Sequence, residues 1–252
     1  MQADSFIIPT DPETIPEPIM APAEMRAHSG LYTFMGRCLE AEVDGELLAL
    51  LRGPLKPMLE ELGLWLGRDV MEGPEAAVLE ALAEEFSALF VVPGGVLPYR
   101  SVFESGRLFQ TQADLAANAY KEAGFIFRNR HSGEFADHVA VMLAFVGRLL
   151  AHQAEALEAG NGKAARVWNR RRVRFLRNQL GPWVVGWSRR ARGVSRHPFY
   201  TAILELVEEV TWADICEACN EDEKTLKRLV TANQRPLIRP QSDPEFRKAS
   251  GL

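Results

Sequence analysis

EEFSALFVVPGGVLPYRSVF, residues 84–103, changes character halfway along and sets the reading of the whole chain. Its first half completes a helical pattern. Val78, Leu79, Leu82, Phe86, Leu89 and Phe90 fall on one stripe at spacings of three and four, and Glu80, Glu84 and Glu85 fall off it. Its second half is a loop with Pro93, Gly94, Gly95 and Pro98, ending on Tyr99. A glycine pair after an apolar run suggests a phosphate cradle. A P-loop, however, needs Lys and Ser or Thr directly after the glycines, and Val96, Leu97 and Pro98 stand there instead. A helix stop with a glycine turn accounts for Pro93 to Gly95. It leaves the apolar character of Val91, Val96, Leu97, Tyr99, Val102 and Phe103 unexplained. Loops run over surfaces, so a loop this apolar either caps a core or forms one wall of a groove.

The helical period extends in both directions. Leu31, Phe34, Met35, Cys38 and Leu39 line one face of an earlier helix. A short helix follows in DGELLALL, with Asp44 as N-cap, and Gly53, Pro54 and Pro57 punctuate it. Further helices are predicted over about 110–123, 136–153, 164–180, 183–191 and 198–210, with Pro198 at a first helical position. Capping-box patterns at Thr211–Asp214 and Asn220–Glu223 predict two more short helices. No alternating strands and no internal repeat are evident. The fold class is therefore all-α. EAGNGKA at 158–164 is the best interior boundary. It divides a larger N-terminal helical body (22–158) from a smaller C-terminal helical unit (164–233) by a glycine hinge at 159–163. Residues 1–21, with Pro9, Pro12, Pro16 and Pro18, read as a disordered or extended arm, and 234–252 as a polar tail.

Hydrophobic residues make up 47% of the 252 and charged residues 25%, a balance that supports a buried core. The first residues are acidic and Pro-rich, which argues against a cleaved signal peptide. No run of about 18 apolar residues marks a membrane span. Cys38, Cys216 and Cys219 are too few for a disulfide framework. Together these features predict a soluble protein of the cytoplasm. The net charge of −5 hides an asymmetry: 163–196 carries eleven Lys and Arg residues and no carboxylate. Trp168, Val173, Phe175, Leu176, Trp183, Val184 and Trp187 interleave with them, as in an amphipathic helix pair with a solvated arginine face. The acidic remainder of the chain would repel a nucleic acid.

Two motifs invite chemistry. Cys216–Cys219 has the spacing of a redox dithiol or half a zinc site, but no strand precedes it and no further ligands follow closely. Two small residues on a helical turn is the simpler reading. In FADHVAVMLAF, Asp137 and His138 fall at the start of a strongly apolar helix, where an Asp caps free N–H groups and suits the helix dipole. His138 has the chemistry of a base, a ligand or a hydrogen-bonding wall residue, and no nucleophile motif lies near it. The enzymatic alternative, a hydrolase or nucleotide-binding enzyme using Asp137 and His138, has no further motif behind it. A redox or zinc regulator built on the CxxC is the other alternative.

EEFSALFVVPGG, LPYRSVF, DHVAVMLAF and HPFYTAILELV, in this order, resemble the TorD/DmsD/NarJ family, cytoplasmic maturation chaperones for molybdenum-containing oxidoreductases. The resemblance spans about residues 80–210. It implies an all-α, TorD-like helical fold and a non-enzymatic role. The implied partner is the precursor of a molybdoenzyme of the dimethyl sulfoxide reductase type, bound through its twin-arginine leader and apo body so that export waits for cofactor insertion. Of the implied signal-peptide-binding region, Pro98, Tyr99, Ser101, Asp137 and His138 match residue by residue. Glu85, Phe86, Leu89 and Phe90 match a helix motif with a packing role, as does His197–Tyr200. A twin-arginine peptide needs carboxylates beside an apolar groove. Asp137, Glu104 and Glu134 are the candidates for the first, and Leu97, Tyr99, Val102 and Phe103 for the second. No metal and no resident cofactor is expected. Some members of the family bind guanine nucleotide; contact with it or with the molybdenum cofactor is compatible with the resemblance, and no residue here locates such a site. A monomer or domain-swapped dimer is compatible with a glycine hinge.

Overall fold

The computed structural model describes residues 20–92, 94–108, 110–128, 135–220 and 222–236. The arm at 1–21 and the tail at 234–252 lie outside them, apart from Met20, Ala21 and 234–236. Among the described residues the chain is all-α. The helices are α1 (Pro22–Glu40), α2 (Gly45–Arg52), α3 (Lys56–Glu61), α4 (Arg68–Glu72), α5 (Glu75–Phe90), α6 (Arg100–Ser105), α7 (Thr111–Glu122), α8 (Val139–Glu158), α9 (Gly162–Phe175), α10 (Val184–Val194), α11 (Pro198–Ala218) and α12 (Glu223–Asn233).

The centre is α8. Its Val139, Met142, Leu143, Val146, Leu149 and Leu150 are fully buried, and each such side chain contributes about 1.5–3 kcal/mol on leaving water. α8 is long and apolar enough to cross a membrane by length and composition, yet 67% of that stretch is buried among the other helices. α1 lies close along it because two glycines open the contact. A Cβ on Gly36 would sit 3.1 Å from the Ala140 carbonyl, and one on Gly147 would sit 3.0 Å from that of Ser29. The Ser29 hydroxyl donates to the Gly147 carbonyl at 2.8 Å in the same seam. α9 returns along the other side of α8 after a tight turn. Gly160 takes φ +69° there, and Asn161 caps α9 by accepting from the Ala164 N–H at 3.0 Å. Apolar residues from both sides of 159–163 belong to one continuous hydrophobic cluster.

α1, α9 and α11 are tied by a buried ionic knot. Asp214, 3% exposed, accepts from the Tyr32 hydroxyl at 2.8 Å and meets His28 Nε2 at 3.0 Å. Arg172 reaches Glu217 at 3.2 Å and comes within 4.0 Å of Asp214. Burial first, and then the Asp214 charge, push the Tyr32 phenol well above its ordinary pKa.

Three local expectations are corrected. Thr211 starts no helix: α11 runs through it, and its hydroxyl is satisfied by the Val207 carbonyl. The last helix is capped by Asp222, which accepts from the Thr225 N–H at 3.0 Å, and not by Asn220. The helix expected over 164–180 ends as α at Phe175 and continues as a π-helical turn, Leu176–Leu180. The arginine-rich segment is also less solvated than expected. Arg172 is buried, and Arg189 and Arg192 pair with Glu208 and Glu205 of α11. Arg177 pairs with Asp222.

His197, at the start of α11, meets Asp69 of α4 at 2.8 Å. Burial alone would raise the Asp69 carboxyl, but hydrogen bonds from His197 and from backbone N–H groups outweigh it and hold the pKa below the ordinary range. A depressed carboxyl stabilises the fold above the unfolded pKa of about 3.9 and loses that contribution as pH falls through the folded value. Asp69→Asn is therefore expected to flatten the fall in melting temperature below about pH 4. Thermal melts across that range check it, and the effect is small because Asp69 is half exposed.

Candidate functional site

α5 ends at Phe90, and the chain turns back at once. The Val96 N–H donates to the Leu89 carbonyl at 2.6 Å. Gly95 is required here, because a Cβ would lie 2.5 Å from the Leu89 carbonyl oxygen. The glycine pair is thus a chain reversal against α5. The loop is then pinned from far along the chain. The indole N–H of Trp187 in α10 points at the carbonyls of Val96 and Leu97, at 3.2 and 3.1 Å. Trp187 is fully buried and packs on Phe90 at 5.9 Å.

The resembling motifs meet at this point. Phe86 and Phe90 pack on Tyr200, with ring centroids 6.2 and 5.9 Å apart. The Glu85 carboxylate accepts from the N–H groups of Arg196 and His197 at the entry to α11. Glu85, expected to share the packing role of Phe86, Leu89 and Phe90, instead caps the entry to α11 through its carboxylate.

The loop next pairs with the start of α8. Tyr99 and His138 form an isolated antiparallel bridge. The Val139 N–H donates to the Pro98 carbonyl at 2.8 Å, and the Arg100 N–H to the Asp137 carbonyl at 3.2 Å. The two segments lie edge to edge, as one continuous surface.

The side chains follow from this pairing. Asp137 is 1% exposed, and its carboxylate accepts from the Ser101 N–H at 2.8 Å. It therefore caps α6, 36 residues upstream, and not α8. α8 is capped by His138, whose Nδ1 accepts from the Ala140 N–H at 3.2 Å. The His138 ring meets Tyr99 edge-on at 4.9 Å, and Tyr99 meets Phe135 at 5.9 Å. Glu104 is occupied as well: it accepts from Arg100 at 2.9 Å and from Gln112 at 2.9 Å. Arg100 also donates to the Asn178 carbonyl and to Gln179 in the π-helical turn. The expected arginine-binding carboxylates Asp137 and Glu104 thus serve internal contacts, and Glu134 lies outside the described residues. Phe103, Pro98 and Ser101 are buried, whereas Leu97, Tyr99 and Val102 are partly exposed. Val91 and Val92, just after α5, are 60% and 44% exposed.

Cys216 and Cys219 sit in the last turn and at the C-cap of α11 as free thiols. Burial pushes both pKa values up, which suppresses the thiolate that redox or metal chemistry needs. Among the described residues, no three His, Cys, Asp or Glu side chains gather as a metal site would require.

A sequence model of the family described as "Nitrate reductase delta subunit" matches residues 46–188. The curated protein "Chaperone protein TorD" of Photobacterium profundum is 31% identical over 137 residues, 53% of this chain and 61% of that protein. A protein of the same description from Vibrio vulnificus is 26% identical over 129 residues, 50% of this chain and 59% of its own length. The chain thus spans about three fifths of these relatives. A solved structure from Archaeoglobus fulgidus, described as a redox enzyme maturation protein, aligns over 77% of this chain and 98% of its own, at 18% identity and a TM-score of 0.46.

Proposed function

This chain belongs to the nitrate reductase delta subunit family, and from that premise we propose that it is a cytoplasmic, non-enzymatic maturation chaperone. Its client is the precursor of a molybdenum-containing oxidoreductase of the dimethyl sulfoxide reductase type. The twin-arginine leader of that precursor lies on the surface made by Leu97–Glu104 and Asp137–His138, and its retention there delays export until the cofactor is in place. The observation that carries this reading is the Tyr99–His138 bridge. It joins the apolar loop to the start of α8, and Leu97, Tyr99 and Val102 stay partly exposed. Such a surface suits the apolar segment that follows the two arginines.

The internal bonds of Asp137 and Glu104 refine their roles. Both position the loop, and the leader's guanidinium groups find backbone carbonyls and aromatic faces at its edge. The enzymatic alternative is disfavoured because Asp137 is buried and His138 already accepts a backbone N–H.

Calorimetry with a panel of twin-arginine leader peptides from molybdoenzyme precursors tests the reading. Tyr99→Ala is expected to weaken binding about five- to thirtyfold, because an aromatic anchor at an interface typically contributes about 1–2 kcal/mol. Its melting temperature should fall only slightly, since Tyr99 is partly exposed. Unchanged affinity in Tyr99→Ala would place the leader elsewhere.

A further inference from the structure

The arginine-rich segment contains a feature that the leader-binding surface does not use. Arg170 and Arg174 on α9, and Arg177 in the π-helical turn that continues it, stand at the four-then-three spacing of one helix face. That face looks toward α12, which contributes Thr225 and Arg228 one turn apart. With Val173 and Asn178 they line a recess of about 370 Å³. This lies at the lower end of the range for small-molecule sites, about 300–1,000 Å³.

The charges in the recess are not balanced from within. Arg177 pairs with Asp222 and donates to the Thr225 hydroxyl at 3.2 Å. Arg174 reaches outward to Glu122 at 3.1 Å, in a pair that is exposed on both sides. Arg170 and Arg228 are exposed and form no ion pair among the described residues. Four arginines therefore line one concavity, and only two of them have a carboxylate partner among the described residues. Gathering like charges costs free energy unless an anion neutralises them, and a concave wall concentrates their field. Planar guanidinium forks match phosphate oxygens two at a time. The Asn178 amide and the Thr225 hydroxyl add neutral donors, and Val173 is the one aliphatic side chain present.

We propose that this recess between α9 and α12 binds a small multivalent phosphate anion. A small ligand fits better than a nucleic acid or an anionic membrane. The recess is a shallow, open one between two helices, and the chain outside 163–196 is strongly acidic, so an extended polyanion would meet repulsion past its rim.

The test is calorimetric titration of the full chain with inorganic pyrophosphate at two salt concentrations, with no leader peptide present. Its outcome is therefore independent of the chaperone reading. Saturable binding that weakens steeply with salt is expected. The double variant Arg170→Gln/Arg228→Gln should bind at least about tenfold more weakly, as two charge-assisted contacts are lost. Its melting temperature should be unchanged, because neither arginine has a carboxylate partner among the described residues. Arg228→Glu alone is the second variant, and it should show the same direction of loss. Absence of saturable heat with the wild type overturns the proposal, as does equal affinity in both variants. Sedimentation of the chain with phosphatidylserine vesicles that depends on these arginines and resists pyrophosphate also overturns it, in favour of a lipid headgroup.

Discussion

Trp187→Ala is expected to lower the unfolding free energy by about 3–5 kcal/mol, the usual cost of truncating a fully buried tryptophan. Two effects combine. The indole fills the space between Phe90, 5.9 Å away, and Trp183, also 5.9 Å away, and its removal leaves a cavity in the joint between α5, α10 and α11. Its N–H is also the donor for the carbonyls of Val96 and Leu97; without it Val96 loses that partner, while Leu97 keeps the Tyr99 N–H at 3.0 Å. Trp187→Phe separates the effects. It keeps most of the volume and loses only the donor, for about 1–2 kcal/mol. Because the lost bonds hold the loop, Trp187→Phe should also loosen 96–99 and weaken leader binding although residue 187 is buried. Urea denaturation gives the stabilities. A loss under about 1 kcal/mol in Trp187→Ala would mean that the joint repacks freely and does not hold the loop.

The second large effect lies at Asp137. Asp137→Ala removes the acceptor for the Ser101 N–H in a position that water does not reach. An unsatisfied buried donor costs about 1–3 kcal/mol. The start of α6 loses its cap, and the loop loses one of its attachments to the start of α8. Asp137→Asn retains a carbonyl acceptor and should keep most of the stability. The pair of variants separates two roles. If Asp137 positions the loop, Asn binds leader peptides within a few-fold of wild type and Ala does not. If Asp137 pairs directly with a leader arginine, Asn loses affinity at full stability, since the charge is gone and the geometry kept. The burial of Asp137 predicts the first outcome, and calorimetry on the folded Asn variant decides it.

Much of this architecture is legible in the sequence because helices are local. The stripe from Val78 to Phe90 gives α5 to within a few residues, and Asp44 and Pro198 stand where a cap and a first helical residue belong. What is not legible depends on partners distant in sequence. Asp137 looks like a cap for the helix that follows it, yet its N–H partner belongs to Ser101. Thr211 has the pattern of a helix start, but a Thr in mid-helix can satisfy its hydroxyl on the carbonyl four residues back, and Thr211 does so. Trp187 reads as one apolar position among many, and its links to Val96 and Leu97 span 91 and 90 residues. Residue type alone marks Asp137 and Glu104 as suited to bind arginine; their use inside the fold shows only once Ser101, Arg100 and Gln112 are placed against them.

Hydrogen exchange of the wild-type chain with and without a twin-arginine leader peptide bears most directly on the central claim. Protection is expected at residues 96–104 and 135–141, the two segments joined through Tyr99 and His138, and should vanish when the two arginines of the peptide are replaced by alanine. Saturating peptide that leaves both segments unprotected, or that protects another face of the molecule, would contradict the assignment of this surface to the leader.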